Sequence, residues 1–319
     1  MHSKFVFKRP NDLIQRVVEE RTQNVGLFHG ECLKLIEKLP NDSVDLTVTS
    51  PPYCMNKEYE CGSNDLQTFI AAHQILLPEI IRITKPGGSI CWQVGFHVKN
   101  NTVTPLDFLV YDILKKFKEI KLRNRVVWTF GHGLHCPNRF SGRYEVVLWY
   151  TKGDDYYFDL DAVRVPQKYP GKKYSKGSRK GEFSGNPNGK NPSDIWEIPN
   201  VKSHHVEKTD HPCQFPVGLV QRLVKSMAPN NGLVFDPFSG VSSTGVAALQ
   251  EGRRFIGAEV EAHYIEIAKE RLQNTLQGTV KTRPLNQEIY IPKPNDKVAI
   301  KPDHFWPKAG LTSAEKTVR

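Results

Sequence analysis

The chain has 319 residues, enough for one large domain or two small ones with a substantial core. Its 44 Lys and Arg against 34 Asp and Glu leave a net charge of +10, which suits a polyanionic partner. Apolar runs such as Ile75-Leu76-Leu77 are far too short to span a bilayer and no signal peptide precedes Phe5, so a membrane partner is excluded and a soluble, cytoplasmic protein is expected. Six cysteines (Cys32, Cys54, Cys61, Cys91, Cys136 and Cys213) form no paired framework and are expected as free thiols.

In chain order, Asn11-Asp12 followed by an apolar pattern through Val18 predicts a capped helix. Leu27 to Cys32 reads as a short strand with a glycine turn, and Leu33 to Leu39 as a helix stopped by Pro40. Ser43 to Val48 alternates β-branched and apolar residues, a strand that feeds into Thr49-Ser50-Pro51-Pro52-Tyr53. The two prolines stiffen that loop, because each fixes its own φ and restricts the residue before it. The result is a rigid acceptor group, Ser50 and the carbonyl of Pro51, beside the aromatic plate of Tyr53. Such a corner can hold a flat ring that bears an amino group; proline turns after strands are also common as plain structure.

Residues 65–84 predict a helix ending at Lys85-Pro86-Gly87-Gly88, followed by a buried strand at Ser89 to Val94. A helix from Pro105 to Phe117 and strands at Arg125 to Trp128 and Tyr144 to Tyr150 continue the alternation. Elements at this spacing predict an α/β fold with a mostly parallel sheet covered on both faces. From Lys168 to Asn191 the composition changes to seven Lys or Arg, five Gly and one acid, with Tyr169, Tyr174 and Phe183 interspersed. This segment cannot bury a core. It is either a disordered surface loop or a loop that orders on a phosphate backbone, with aromatics free to stack.

A second unit follows: an amphipathic helix at 215–227, a strand from Gly232 to Asp236, a small-residue turn, and an alanine-rich helix through Leu249. Arg254 to Glu259 is then a strand ending in an acid, and a last helix runs from Ala262 to Gln273. The acid follows Asp236 at close to the roughly 20-residue spacing at which a carboxylate holds ribose hydroxyls. The turn lacks the dinucleotide glycine pattern and a Walker lysine, which disfavours a pyrophosphate. Asp236 would repel phosphate and pair with an ammonium, so a nucleoside carrying an amino acid fits. Residues 279–319 read as a polar, proline-containing surface extension.

Taken together, these motifs over residues 25–275 resemble the β group of amino-methylating DNA methyltransferases. Thr49-Ser50-Pro51-Pro52-Tyr53 resembles their catalytic motif, and Asp236-Pro237-Phe238-Ser239-Gly240 with Gly245 their cofactor motif. Glu259 matches their ribose-binding acid, and His211-Pro212-Cys213-Gln214-Phe215-Pro216 the element before the cofactor strand, although Phe215 stands where relatives usually carry lysine. The resemblance implies a Rossmann-like, S-adenosyl-L-methionine-dependent methyltransferase fold with circularly permuted motif order. It divides the chain into a methyltransferase domain at 1–160 and 210–278, a target-recognition insert at 161–209 and an extension at 279–319. It assigns Ser50, Pro51, Pro52 and Tyr53 to catalysis. Cofactor binding falls to Glu31, His211, Gln214, Asp236, Pro237, Phe238, Ser239, Gly240, Ser243, Thr244 and Glu259. DNA contacts fall to Asn138, Arg139, Lys172, Lys173, Lys176 and Lys180.

Serine at the head of the catalytic motif is usual in this family for N4 of cytosine and aspartate for N6 of adenine, so cytosine N4 is expected, with adenine N6 as the alternative. Double-stranded DNA is the implied partner, with a restriction endonuclease encoded separately. Pro212-Cys213-Gln214 spells the nucleophile motif of cytosine C5 methyltransferases, but no Glu-Asn-Val accompanies it and it precedes the cofactor strand. His132, His135 and Cys136, like His204, His205 and His211, match no zinc spacing, so no metal is expected. The rivals from other classes are a nucleic-acid-binding protein without catalysis and a methyltransferase for small molecules or proteins, which would have no use for the basic insert.

Overall fold

Val44–Thr49 forms the strand expected there, and all six of its residues are buried. Such a strand can lie only inside a sheet covered on both faces. Its single charge, Asp45, is tolerated because both carboxylate oxygens are satisfied: one accepts from the Lys85 ammonium at 2.7 Å, the other from the Leu233 N–H at 2.7 Å. Those two partners lie on the strands either side, so Asp45 fixes the alignment of three strands at one end.

The computed structural model describes residues 5–53, 66–131, 133 and 135–302. In chain order it contains β1 (Val6–Phe7), α1 (Pro10–Leu13), β2 (Val25–His29), α2 (Cys32–Ile36), β3 (Val44–Thr49), α3 (Leu66–Ile83) and β4 (Thr84–Val94). Next come β5 (Phe96–Lys99), β6 (Thr102–Pro105), α4 (Leu106–Leu114), β7 (Ile120–Thr129), β8 (Tyr144–Lys152) and β9 (Ile195–Glu197). The chain continues with α5 (Val217–Met227), β10 (Leu233–Asp236), α6 (Ser243–Gln250), β11 (Arg254–Glu259) and α7 (Ala262–Leu276).

The main sheet has the order β1-β2-β11-β10-β3-β4-β8-β7-β9. Pairing is parallel from β1 to β4, and β8 runs antiparallel to both β4 and β7. The expected mostly parallel α/β sheet is therefore present, with one reversed strand. From β3 the chain crosses through α3 to β4 on one side; from β10 it crosses through α6 to β11 on the other. Right-handed crossovers in opposite lateral directions put the two sets of helices on opposite faces and open a crevice between the C-terminal ends of β3 and β10.

Several local expectations are corrected. The first helix is not capped by Asn11 or Asp12: it begins at Pro10, with Arg9 as the N-cap and no side-chain cap bond. A proline at the first helical position removes one of the donors a cap would satisfy. The helix then widens into a π-helical stretch, Ile14–Glu19, seated on β2 at Gly26, where a Cβ would lie 2.8 Å from Leu13 Cγ. The hairpin β5–β6 was not expected, although its turn is Asn100-Asn101 with both φ values positive, a sequence that favours such turns. The strand expected at Arg125 to Trp128 runs over ten residues, Ile120–Thr129, because its first half alternates polar and apolar residues at the less covered end of the sheet.

Among the described residues, those up to Leu285 form one compact unit and those from Asn286 onward a second. In the second, Asp296 organises a turn by accepting from the Lys293 N–H at 2.8 Å and from the Tyr290 hydroxyl. Cys32, Cys91, Cys136 and Cys213 are free thiols; Cys54 and Cys61 lie outside the described residues, as does His132. Among the described residues no helix is long and apolar enough to cross a membrane.

His73, buried between α3 and β4, has a defined tautomer. Its Nδ1–H donates to the Phe69 carbonyl at 2.8 Å, and its Nε2 accepts from the Trp92 indole at 3.2 Å. Burial lowers its pKa to about 4. The folded state therefore binds less proton than the unfolded state between pH 6.5 and 4, and stability present above pH 6.5 is lost on acidification. His73 should contribute a fall of about 1.4 kcal/mol per pH unit in that window. Urea unfolding at pH 7 and pH 5 should show wild type losing about 2 kcal/mol more than His73→Gln; equal losses would exclude this role.

Candidate active site

The crevice between β3 and β10 holds a cavity of about 480 Å³, and every residue assigned above to catalysis or cofactor binding lines it. Ser50 to Tyr53 leave the end of β3, Asp236 ends β10, Glu259 ends β11, and Glu31 follows β2. Residues nearly 190 positions apart in sequence meet because β3 and β10 pair in parallel register, with Val234 opposite Leu46 and Phe235 opposite Thr47.

At the floor of this crevice, Asp236 is buried and its carboxylate is spent inside the protein. One oxygen accepts from Thr49 Oγ1 at 2.6 Å and from the Phe238 N–H at 3.1 Å; the other accepts from Thr244 Oγ1 at 2.7 Å. Burial pushes its pKa up to about 6, and the two threonine hydroxyls pull it back. Asp236 thus ties the strand before the proline corner to the turn before α6.

Glu259 shapes the other wall. Its oxygens accept from the N–H groups of Gly240 at 2.9 Å and Glu261 at 2.8 Å, and burial raises its pKa. Gly240 sits at φ +51° with His211 Nε2 only 3.1 Å from where a Cβ would be, so the turn needs glycine both for its conformation and for its closeness to His211. His211 is held neutral, its pKa lowered to about 4 by burial and by Lys208 and Arg271, and its ring packs 4.6 Å from that of Tyr264. Ser243 donates to the Phe215 carbonyl at 2.9 Å. Gln214 lines the cavity, but its amide is committed elsewhere: Thr209 donates to its oxygen at 2.8 Å and it donates to the Glu207 carbonyl at 2.7 Å. Glu31 pairs with Lys34 at 3.2 Å and stays exposed.

At the opposite end the Tyr53 hydroxyl donates to Gln93 Oε1 at 2.8 Å and lies 3.2 Å from Ser50 Oγ. Gln93 in turn donates to the half-buried Glu145. Neither Gln93 nor Glu145 was singled out from sequence. The available signal was a lone polar residue inside each of two apolar strands, Ile90 to Val94 and Tyr144 to Tyr150, since a charge is almost never fully buried without a partner. Tyr264 and Arg271, both from α7, were likewise missed. Arg271 is buried and donates to the Val241 carbonyl, bracing the turn that carries Ser239 and Gly240.

The chemistry of this lining is selective. Glu31, Asp236, Glu259 and Glu261 face the cavity and no Lys or Arg does so among the described residues, which suits a ligand with ammonium and hydroxyl groups and opposes phosphate. Ser239 Oγ is buried there without a hydrogen-bond partner among the described residues, and Phe238 and Tyr264 supply aromatic surface. A nucleoside carrying an amino acid and a sulfonium fits this donor set. Among the described residues no group of three or more His, Cys, Asp or Glu could hold a metal ion.

The residues expected to touch DNA lie away from the cavity. Asn138 is exposed in the loop between β7 and β8, where the Arg139 guanidinium sits 5.9 Å from the Phe96 ring. Lys172, Lys173, Lys176 and Lys180 are exposed on a segment that has structure of its own. Tyr174 N–H donates to the Glu182 carbonyl at 2.9 Å and Ser184 N–H to the Lys172 carbonyl at 2.9 Å. Its aromatics already carry cations, Lys173 over Phe183 at 5.1 Å and Arg179 over Tyr174 at 4.5 Å. The segment is a hydrogen-bonded hairpin rather than the structureless loop that composition alone suggests, because backbone pairing and cation–π contacts replace a core.

A family model described as DNA methylase matches residues 44–270, from β3 into α7. The Type II methyltransferase M.BglII of Bacillus subtilis is 42% identical over 243 residues, covering 76% of this chain and 67% of that protein. The Type II methyltransferase M.ScaI of Streptomyces caespitosus is 38% identical over 265 residues, covering 81% and 84%. Among solved structures, the cytosine-N4-specific PvuII DNA methyltransferase is similar in fold, with a TM-score of 0.62 at 19% identity over 83% of this chain and 96% of that one. A family match over most of the chain, extended by two relatives of this identity and by a similar fold in a solved methyltransferase, leads to one conclusion: the chain belongs to the N6/N4 DNA methylases, a family dependent on S-adenosyl-L-methionine.

Proposed function

We propose that the protein methylates the exocyclic N4 of cytosine at a specific site in double-stranded DNA, with the target base flipped out of the duplex. The observation that carries this reading is the shared cavity of Ser50 and Asp236. An exocyclic amino nitrogen is a poor nucleophile because its lone pair is delocalised into the ring. If Ser50 Oγ and the Pro51 carbonyl accept its two N–H bonds, the lone pair turns out of the ring plane and toward the cavity. Bound S-adenosyl-L-methionine supplies an electrophilic methyl group on a sulfonium. Glu259 would hold the ribose hydroxyls, Ser239 Oγ and the acidic lining the amino acid end, and Phe238 and Tyr264 the adenine. Direct transfer would form the nitrogen–methyl bond as the sulfonium–methyl bond breaks, leaving S-adenosyl-L-homocysteine, and the surplus amino proton would pass to solvent. With no covalent enzyme intermediate needed, the protein's contribution is orientation. A base inside a duplex cannot reach this corner, and Tyr53 would be the plate against which the flipped base lies.

Serine rather than aspartate at position 50 favours cytosine; adenine N6 is the second reading, because the family model spans both amino groups. The exposed lysines of the 161–209 insert and Asn138 and Arg139 would hold the duplex, in the cytoplasm where the chromosome lies. As the two relatives are named Type II methyltransferases, a separately encoded restriction endonuclease is the proposed partner.

Incubating the purified protein with S-adenosyl-L-methionine and a mixed-sequence duplex, then digesting to nucleosides for mass spectrometry, should yield N4-methyldeoxycytidine. N6-methyldeoxyadenosine alone would transfer the reading to adenine, and neither product would refute it. Ser50→Ala should lower the single-turnover rate about 10²- to 10³-fold with cofactor affinity retained. Replacing Lys172, Lys173, Lys176 and Lys180 by glutamine should reduce the slope of log affinity against log salt by about 0.9 for each lysine that meets a phosphate. An unchanged slope would remove the insert from the DNA interface.

A further inference from the structure

Behind Ser50 lies a chain of hydrogen bonds that the proposed methyl transfer does not yet use. Ser50 Oγ is 3.2 Å from the Tyr53 hydroxyl, Tyr53 is 2.8 Å from Gln93 Oε1, and Gln93 Nε2 donates to Glu145 Oε2. The register explains how they meet. Gln93 on β4 opposes Val147 on β8, so Glu145, two residues along, is its diagonal neighbour on the same face. Glu145 also lies beside the ring of Tyr53: a Cβ built on Gly95 would be 3.4 Å from both. Glu145 is half-buried, its carboxyl is desolvated by its surroundings, and among the described residues Lys202 is the cation that acts on it.

Such a chain has a direction, and its buried end sets it. An ionised carboxylate can only accept, so the Gln93 amide must turn its nitrogen to Glu145 and its oxygen to Tyr53. The Tyr53 proton is then committed to Gln93, and the phenol oxygen is left to accept. Ser50 therefore gives its own proton to Tyr53, and both lone pairs of its Oγ remain for the cavity. We propose that Glu145 is a positioning residue which, through Gln93 and Tyr53, fixes the hydroxyl of Ser50 as an acceptor for the target amino group. The same chain carries the polarisation of a partly buried negative charge toward Ser50, through the buried Gln93, where hydrogen bonds in series strengthen one another. A serine in this position then acts more like the aspartate expected in the adenine-N6 enzymes, with the charge held three side chains away.

Burial pushes the Glu145 carboxyl up to about 7, and the bond from Gln93 draws it down, so the ionised form dominates in mildly alkaline solution. Replacing the carboxylate by an amide removes the constraint. A glutamine at this position can present either its oxygen or its nitrogen to Gln93. The whole series can then reverse, with Tyr53 donating to Ser50 and the Ser50 proton facing the incoming N–H bonds.

This inference rests on the amino-methylation proposed above, and the test separates the two. At pH 8, wild type should methylate duplex DNA in single turnover; a wild type without that activity would defeat the methylation reading itself. With wild type active, Glu145→Gln should lower the single-turnover rate by about tenfold to a hundredfold. Dissociation constants for S-adenosyl-L-methionine and for the duplex should stay within twofold, with the melting temperature preserved. Glu145→Leu, which fills the space without a charge to desolvate, should show the same rate loss and keeps the test open if the amide variant does not fold. A rate within twofold of wild type in either variant would overturn the proposal. So would a rate loss matched by an equal loss of cofactor affinity, which would make Glu145 a purely structural residue.

Discussion

One buried carboxylate joins the two halves of this active site. Asp236 takes hydrogen bonds from Thr49, at the end of the strand that delivers the proline corner, and from Thr244 and the Phe238 N–H, at the turn that leads into α6. Removing an ionisable group from water is costly, and the structure offsets that cost with three donors in short contact. The consequence is geometric. The corner at Ser50 cannot shift relative to the turn at Ser239 without breaking a bond to a buried charge.

Sheet topology makes that junction possible. Because β3 and β10 are neighbours whose crossovers depart in opposite directions, their C-terminal ends border a crevice that no helix fills. The Ser-Pro-Pro-Tyr motif comes early in the chain and the Asp-Pro-Phe-Ser-Gly motif late, yet pairing of Leu46 and Thr47 with Val234 and Phe235 brings them to one edge. Asp45 aligns the same strands from the opposite end, through Lys85 and Leu233. Two aspartates therefore pin β3 at its start and at its finish. The site between β3 and β10 is thus tied to the sheet at both ends of β3.

Much of this was legible in the residues. Ser50, Tyr53, Asp236, Ser239, Gly240 and Glu259 were all expected at strand ends, and they line one cavity because strand ends of a parallel sheet share an edge. What escaped is what local pattern cannot carry. Nothing near Asp236 in sequence announces that Thr49 would bond to it, so a carboxylate expected to pair with an ammonium is also the tie between two strand ends. Gln214 has a polar amide in the expected place, but Thr209 and Glu207 have already claimed it. Glu145 and Gln93 matter through a diagonal across two strands, a relation fixed only by register. The basic segment was misleading in another way: its composition predicts no core, and its order comes from backbone bonds and from lysine and arginine lying over its own aromatic rings.

The coupling of the two halves can be measured at Thr49, which does not line the cavity but holds Asp236 from behind. Thr49→Val keeps the shape of the side chain and deletes only the hydroxyl. Titration calorimetry with S-adenosyl-L-methionine should then show affinity weakened about tenfold, the loss expected for one bond of about 1.4 kcal/mol to a buried charge. An affinity within twofold of wild type would contradict the claim that this carboxylate links the corner at Ser50 to the cofactor wall.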